Sequence, residues 1–215
     1  MPRRPKPSPA TTVLYVRHGQ TPTTGSVLPG RARGLHLAEG GRRQAEEVAE
    51  RLGTLKVIDA IYASPLERTR ETAAPIGRQR GLRVGSEKGL LECDFGEWTG
   101  RPLKELMKLP EWATVQRYPS GFRFPGGESF AEMQTRITTT VARLVQRHPG
   151  GTIVAVSHAD PIKAAVASAV GTHLDLFQRI VISPCSVTTV TYGAGGPMVL
   201  NVNSTGGPLG EVKPS

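Results

Sequence analysis

Two histidines stand just beyond short apolar runs: His18 after Thr12-Val-Leu-Tyr-Val16 and Arg17, and His158 after Thr152-Ile-Val-Ala-Val156 and Ser157. A third run, Ile58 to Ala63, leads into Ser64-Pro65-Leu66-Glu67-Arg68-Thr69-Arg70. If the three runs are parallel strands of one sheet, two imidazoles and a pair of arginines meet at one edge. The arginines then fall in the first turn of a helix. A helix N-terminus is already positive, so cations are misplaced there unless an anion sits between them. Phosphate is the natural anion for a helix N-terminus and a guanidinium fork.

The intervening sequence supplies elements of the right kind. Thr12–Val16, Ile58–Ala63 and Thr152–Val156 are short, β-branched and apolar, the signature of buried strands. Ala45, Val48, Ala49 and Leu52 have helical spacing within residues 40–53, which Gly53 closes. A second helix is predicted over 65–80, ended by Gly81. Phe130, Met133, Ile137, Val141, Leu144 and Val145 trace one face of a long helix running to about 147. A further helix is predicted over Pro161–Val170, with Asp160 as its cap and Pro161 at its first position. Val187–Tyr192 and Met198–Val202 read as a closing strand pair. The prolines at 102, 110, 119 and 125 make 100–127 a loop with a short helix, able to act as a lid, in which Phe122 and Phe124, like the neighbouring Trp98, serve packing. Alternating strands and helices imply an α/β fold, a three-layer α/β/α sandwich with a mostly parallel central sheet. Ligands in such sheets bind beyond the carboxyl ends of the strands, where the histidines lie.

The 215-residue length fits a single domain, expected over 12–204. Residues 1–11 carry Arg3, Arg4 and Lys6 among prolines and lack the apolar stretch of a signal peptide, so a disordered basic tail is expected there. A Gly/Pro-rich disordered tail is expected over 205–215. No apolar run is long enough to span a membrane. Cys93 and Cys185 have no metal-site spacing and read as free thiols, in keeping with a cytoplasmic protein. The net charge of +9 suits an anionic partner. Nucleic acid is the weakest choice, because the basic residues are scattered and aromatics make up only 5% of the chain.

Arg17-His18-Gly19-Gln20-Thr21 resembles the RHG[EQ]T signature of the histidine phosphatase superfamily, the phosphoglycerate-mutase-like group. Three more blocks follow in that family's order: Ser64-Pro65-Leu66-x-Arg68-Thr69-x-x-Thr72-Ala73, Leu91-Glu92-x-Asp94-Phe95-Gly96-x-Trp98-x-Gly100, and Val156-Ser157-His158. Gly127-Glu128-Ser129 is similar to its lead into a long helix. The resemblance spans about residues 12–192. It implies a metal-free, cofactor-free phosphatase acting on a small phosphorylated metabolite as a monomer or homodimer. His18 would be the nucleophile, since neutral imidazole attacks well near pH 7 and leaves well afterwards. Arg17, Arg68 and His158 would hold the equatorial oxygens. Glu92, rather than Glu97, would be the general acid and base.

The sequence departs from the family pattern in places. Thr23-Thr24 replaces an asparagine that helps hold phosphate, which makes Thr24 a candidate phosphate ligand. Gly34-Leu35-His36-Leu37 replaces an Asp-x-Pro-Leu segment, so His36 is an extra polar group without an assigned purpose. Arg31 and Arg33 are placed to reach a second anionic group on a substrate. Mutases of the family resemble one another in a longer insertion between acid and second histidine. The compact interval here favours hydrolysis over phosphoglycerate mutase-type transfer, and Glu92 is superfluous to a module that only binds phosphate.

Overall fold

The computed structural model describes residues 9–209. Its sheet has six strands in the order β3-β2-β4-β1-β5-β6. They are β1 (Thr11–Arg17), β2 (Ala60–Ala63), β3 (Val84–Ser86), β4 (Thr152–Ser157), β5 (Val187–Gly193) and β6 (Gly196–Ser204). The first four run parallel; β5 is antiparallel to β1, and β6 to β5. The apolar continuity of Val13–Val16 and Ile153–Val156 follows from their central places, where both faces are covered and every one of these side chains is fully buried.

Alternation along the strands divides the core into two layers. Leu14, Val16, Val154 and Val156 face α1 (Glu39–Gly53) and α2 (Glu67–Arg80). Val13, Tyr15, Ile153 and Ala155 face α5 (Phe130–Arg147) and α6 (Ala159–Ala169). The arrangement is the expected three-layer α/β/α sandwich. A capping box between Ser129 and Glu132 starts α5. Between β3 and α5 the chain forms α3 (Leu103–Leu106), α4 (Trp112–Arg117) and several single turns. Trp98, Phe122 and Phe124 are buried there, with ring centroids 4.9–5.5 Å apart, and so serve packing.

Several boundaries differ from expectation. β3 gives no sequence signal because its three residues, Val84-Gly-Ser86, are too few to show alternation. Asp160 does not cap α6: His158 leaves β4 in extended conformation and is itself the N-cap, without a side-chain bond, so Asp160 already lies inside the first turn. There it pairs with Lys163, one turn on, at 3.3 Å. The expected disordered tail fails for 205–209. Arg51 donates to the carbonyls of Ser204, Gly206 and Gly207 at 3.0–3.2 Å, and Leu209 is buried among the residues of α1 and α2. The tails expected at 1–8 and 210–215 lie outside the described residues. Among the described residues, Cys93 and Cys185 are buried free thiols, and no helix is long and apolar enough to cross a membrane.

Candidate active site

Register brings the two histidines together. Arg17 of β1 pairs with Ser157 of β4, so the residues after each leave the sheet at the same point. The His18 N–H donates to the Ser157 carbonyl at 3.0 Å, and the His18 and His158 rings lie edge to face, 5.2 Å apart. The turn after His18 presses directly on the first turn of α1. A Cβ on Gly41 would come within 2.0 Å of the Gln20 carbonyl, and one on Gly19 within 2.5 Å of the Gly41 carbonyl. Only glycine at both positions allows that approach.

His18 is 5% exposed and His158 fully buried. The His18 Nδ1 lies 2.8 Å from the Gly19 carbonyl. A carbonyl can only accept, so Nδ1 carries the proton and Nε2 keeps its lone pair. Burial, then Arg68 and Arg17, pulls the His18 pKa down to about 3. Burial and the same arginines also hold His158 well below the usual histidine range. Both rings are therefore neutral at physiological pH. The His158 Nε2 lies 2.9 Å from the Ser64 hydroxyl, and its Nδ1 is buried without a partner.

Arg68, in the first turn of α2, is fully buried, yet among the described residues only one of its nitrogens has a protein partner: Nη2 donates to the Gly30 carbonyl at 2.7 Å. Its Nε and Nη1 are buried and unpartnered, as is Nε of Arg17, whose Nη1 donates to the Ile182 carbonyl at 2.6 Å. Burial works against the charge of both guanidinium groups, and Glu92 is the anion that most offsets it. A buried donor without a partner costs about 1–3 kcal/mol, more when charged. Three such donors facing a neutral imidazole make a cradle for an anion.

Glu92 is 7% exposed, whereas Glu97 points to solvent. Burial first, then the charge of Asp160, raises the Glu92 pKa to about 7; a hydrogen bond from the Cys93 N–H and the two arginines oppose the rise. Its backbone is held by Arg136, which the sequence does not single out, and by Arg31. Arg136 of α5 grips Glu128 through two 2.8 Å bonds and donates to the carbonyls of Gly89, Leu91 and Glu92. Arg31 adds bonds to the Glu92 carbonyl, Asp94 and Glu128. Arg31 thus anchors the loop that carries Glu92, its guanidinium engaged by these partners where a second anionic group was expected. Arg136→Leu is expected to lower kcat about 10- to 100-fold, because misplacing an acid by an ångström costs that much. Inhibition by inorganic phosphate should be unchanged, and Arg136→Lys should restore part of the rate; steady-state kinetics of the two variants checks this.

The other sequence candidates lie elsewhere. Thr24 is exposed and its hydroxyl accepts from the Thr21 N–H at 2.8 Å, so it stabilises the turn, and no contact joins it to the cradle. His36 contacts Glu71 and is exposed, as is Arg33. Thr72 is an addition: it accepts from the Gly19 N–H at 3.0 Å and donates to the Arg68 carbonyl at 2.7 Å, tying the two arms of the cradle together. Among the described residues, no group of three or more His, Cys, Asp or Glu side chains is placed to hold a metal ion.

The model of the histidine phosphatase superfamily (branch 1) matches residues 13–205. Phosphoserine phosphatase 1 of Hydrogenobacter thermophilus is 31% identical over 198 residues, covering 90% of this chain and 92% of that protein. A mycobacterial glucosyl-3-phosphoglycerate phosphatase has a similar structure, with a TM-score of 0.82 at 27% identity over 91% of this chain and 99% of that one. An Entamoeba histolytica phosphoserine phosphatase variant in complex with phosphoserine also has a TM-score of 0.82, at 27% identity over 91% and 98% of the two chains. The chain belongs to branch 1 of the histidine phosphatase superfamily.

Proposed function

We propose that this phosphatase hydrolyses small phosphate monoesters through a phosphohistidine on His18, with Glu92 as general acid and then general base. The observation that carries the reading is the set of buried, unpartnered donors on Arg17 and Arg68 beside a neutral His18. His18 Nε2 attacks phosphorus, and the bond to the ester oxygen breaks as Glu92 gives that oxygen its proton. Arg17 and Arg68 hold the equatorial oxygens, where charge accumulates. His158 joins them when Ser64 donates to its Nε2, because Nδ1–H then becomes the unpartnered donor. In the second half, ionised Glu92 takes a proton from water, whose oxygen attacks phosphorus. The phosphorus–nitrogen bond breaks, and His18 and inorganic phosphate are released. The substrates named for the relatives, phosphoserine and glucosyl-3-phosphoglycerate, are monoesters of this kind.

Alkaline quenching of the enzyme during turnover of labelled ester, followed by peptide mapping, tests this. Label on the peptide containing His18, with turnover undiminished in chelator, is the expected result; label on another residue would overturn it. The pH profile follows from the two shifts. His18 stays neutral down to about pH 3, so it sets no limit at mildly acidic pH. Glu92, raised to about 7, keeps its proton up to neutrality and loses it above. For an alkyl ester, kcat/KM should therefore fall about tenfold per unit well above pH 7. A profile that kept rising to pH 9 would remove Glu92 as the acid.

A further inference from the structure

Among the described residues, two that are not glycine have a positive φ: Cys185 at 53° and Asn203 at 60°. Such backbone is uncommon outside glycine and persists where the surroundings hold it in place. Both residues belong to the setting of Arg17. The loop 180–186 wraps this arginine. The Cys185 N–H donates to the Arg17 carbonyl at 3.0 Å, and the Arg17 N–H donates to the Ser186 carbonyl at 3.4 Å. The Ile182 carbonyl takes the guanidinium itself, through Nη1, at 2.6 Å.

Asn203 reaches the same peptide group from the other side. Its Oδ1 accepts from the Ser183 N–H at 2.6 Å, and that N–H shares one planar trans amide with the Ile182 carbonyl. The N–H and C=O of a trans amide point in opposite directions, so one rigid group has Asn203 at one end and Arg17 at the other. A hydrogen bond to the N–H also polarises the amide and strengthens the bond at its carbonyl. Asn203 is itself fixed. Between the pairs Val187 with Ser204 and Thr189 with Asn201, residues 202 and 203 oppose Thr188 alone, which makes a β-bulge. The Asn203 N–H donates at 3.0 Å to the hydroxyl of Thr188, a fully buried residue. Arg51 holds the next residue, Ser204, through its carbonyl and its hydroxyl.

We propose that Asn203 is a positioning residue for Arg17: it fixes the Ile182–Ser183 amide, which anchors the guanidinium and leaves Nε free for phosphate. The proposal rests on the phosphatase reading above, in which Arg17 holds an equatorial oxygen. Glycine would satisfy the backbone of the bulge as well as asparagine does. An acceptor aimed at the Ser183 N–H, by contrast, requires a side chain. Without it the amide can turn, and the anchor on Nη1 turns with it.

A double-mutant cycle on kcat/KM for para-nitrophenyl phosphate provides the test. Arg17→Ala alone should cost about 10^2- to 10^3-fold, the scale of one lost transition-state donor. Asn203→Gly accepts the φ of 60° without strain and deletes the acceptor. It should cost about 10- to 100-fold in the otherwise wild-type enzyme, and less than about twofold in Arg17→Ala, where no guanidinium is left to aim. Asn203→Asp keeps an acceptor and tolerates the same backbone, so it should stay within about threefold of wild type. Asn203→Gly at the wild-type rate overturns the proposal. So do equal losses for Asn203→Gly in the two backgrounds, or a loss in Asn203→Asp as large as in Asn203→Gly, since Asn203 would then only shape the bulge. If Asn203→Gly does not fold, Asn203→Ser takes its place in the cycle, its hydroxyl being one bond too short for the Ser183 N–H. Any of these results beside a large loss in Arg17→Ala refutes this proposal alone. Arg17→Ala at the wild-type rate refutes the phosphate-holding role of Arg17 in the phosphatase reading, and the proposal with it.

Discussion

His18→Ala should reduce turnover of every phosphate ester by at least about 10^4-fold, the scale seen when a covalent nucleophile is removed. Neither of the neighbouring nucleophiles, His158 and Cys93, is placed to take over. The His158 ring is 5.2 Å away, with Nε2 against Ser64, and Cys93 is buried with its thiol pKa raised far from any reactive range. Binding should respond differently. His18 is neutral, so its loss removes no charge from the cradle, while Arg17, Arg68 and His158 keep their unpartnered nitrogens. Inorganic phosphate should bind His18→Ala with a Kd within about tenfold of wild type, because only one of several contacts is gone. Calorimetry paired with ester hydrolysis separates the two effects. Turnover above about one percent of wild type would remove His18 as the nucleophile.

The parts of the site legible in the sequence are those whose position is fixed by strand ends. His18 and His158 follow continuous apolar runs, which identify central parallel strands, and parallel register then aligns them without further information. Arg68 was legible because a cation in the first turn of a helix needs a reason. What supports these residues was not legible. Arg136 sits on the polar side of a long amphipathic helix, where arginine is ordinary, and only tertiary packing brings it to the Glu92 loop. Arg31 looked like a substrate ligand because a loop arginine carries no mark of its partners, and its partners Asp94 and Glu128 are distant in sequence. The cap assigned to Asp160 failed for a related reason. Whether a helix begins at 159 or 161 depends on how the strand before it ends, and that is not written in local propensity.

The burial that keeps the His18 ring neutral also raises the Glu92 pKa, and Glu92→Gln should expose both roles proposed for this carboxylate. Glutamine keeps the shape and removes the transferable proton. For an alkyl ester the leaving oxygen then departs as a strongly basic alkoxide, and kcat should fall about 10^3- to 10^4-fold, toward the upper range for general acid catalysis. A para-nitrophenolate needs no proton to leave near neutrality, so formation of the phosphohistidine from para-nitrophenyl phosphate should be far less affected. Its hydrolysis still requires a base for water. Glu92→Gln should therefore release one equivalent of nitrophenol per site in a burst and then turn over slowly, with the phosphohistidine as the resting species. Glu97→Gln should stay within about twofold of wild type, since an exposed carboxylate away from the cradle takes no part in proton transfer. Stopped-flow absorbance on the two variants reads every arm of this. Equal losses for alkyl and aryl esters in Glu92→Gln, with no burst, would mean that the carboxylate supports the shape of the site and moves no proton. A tenfold or greater loss in Glu97→Gln would mean that proton transfer passes through the exposed carboxylate, and that the raised pKa of Glu92 is only a consequence of its burial beside Asp160.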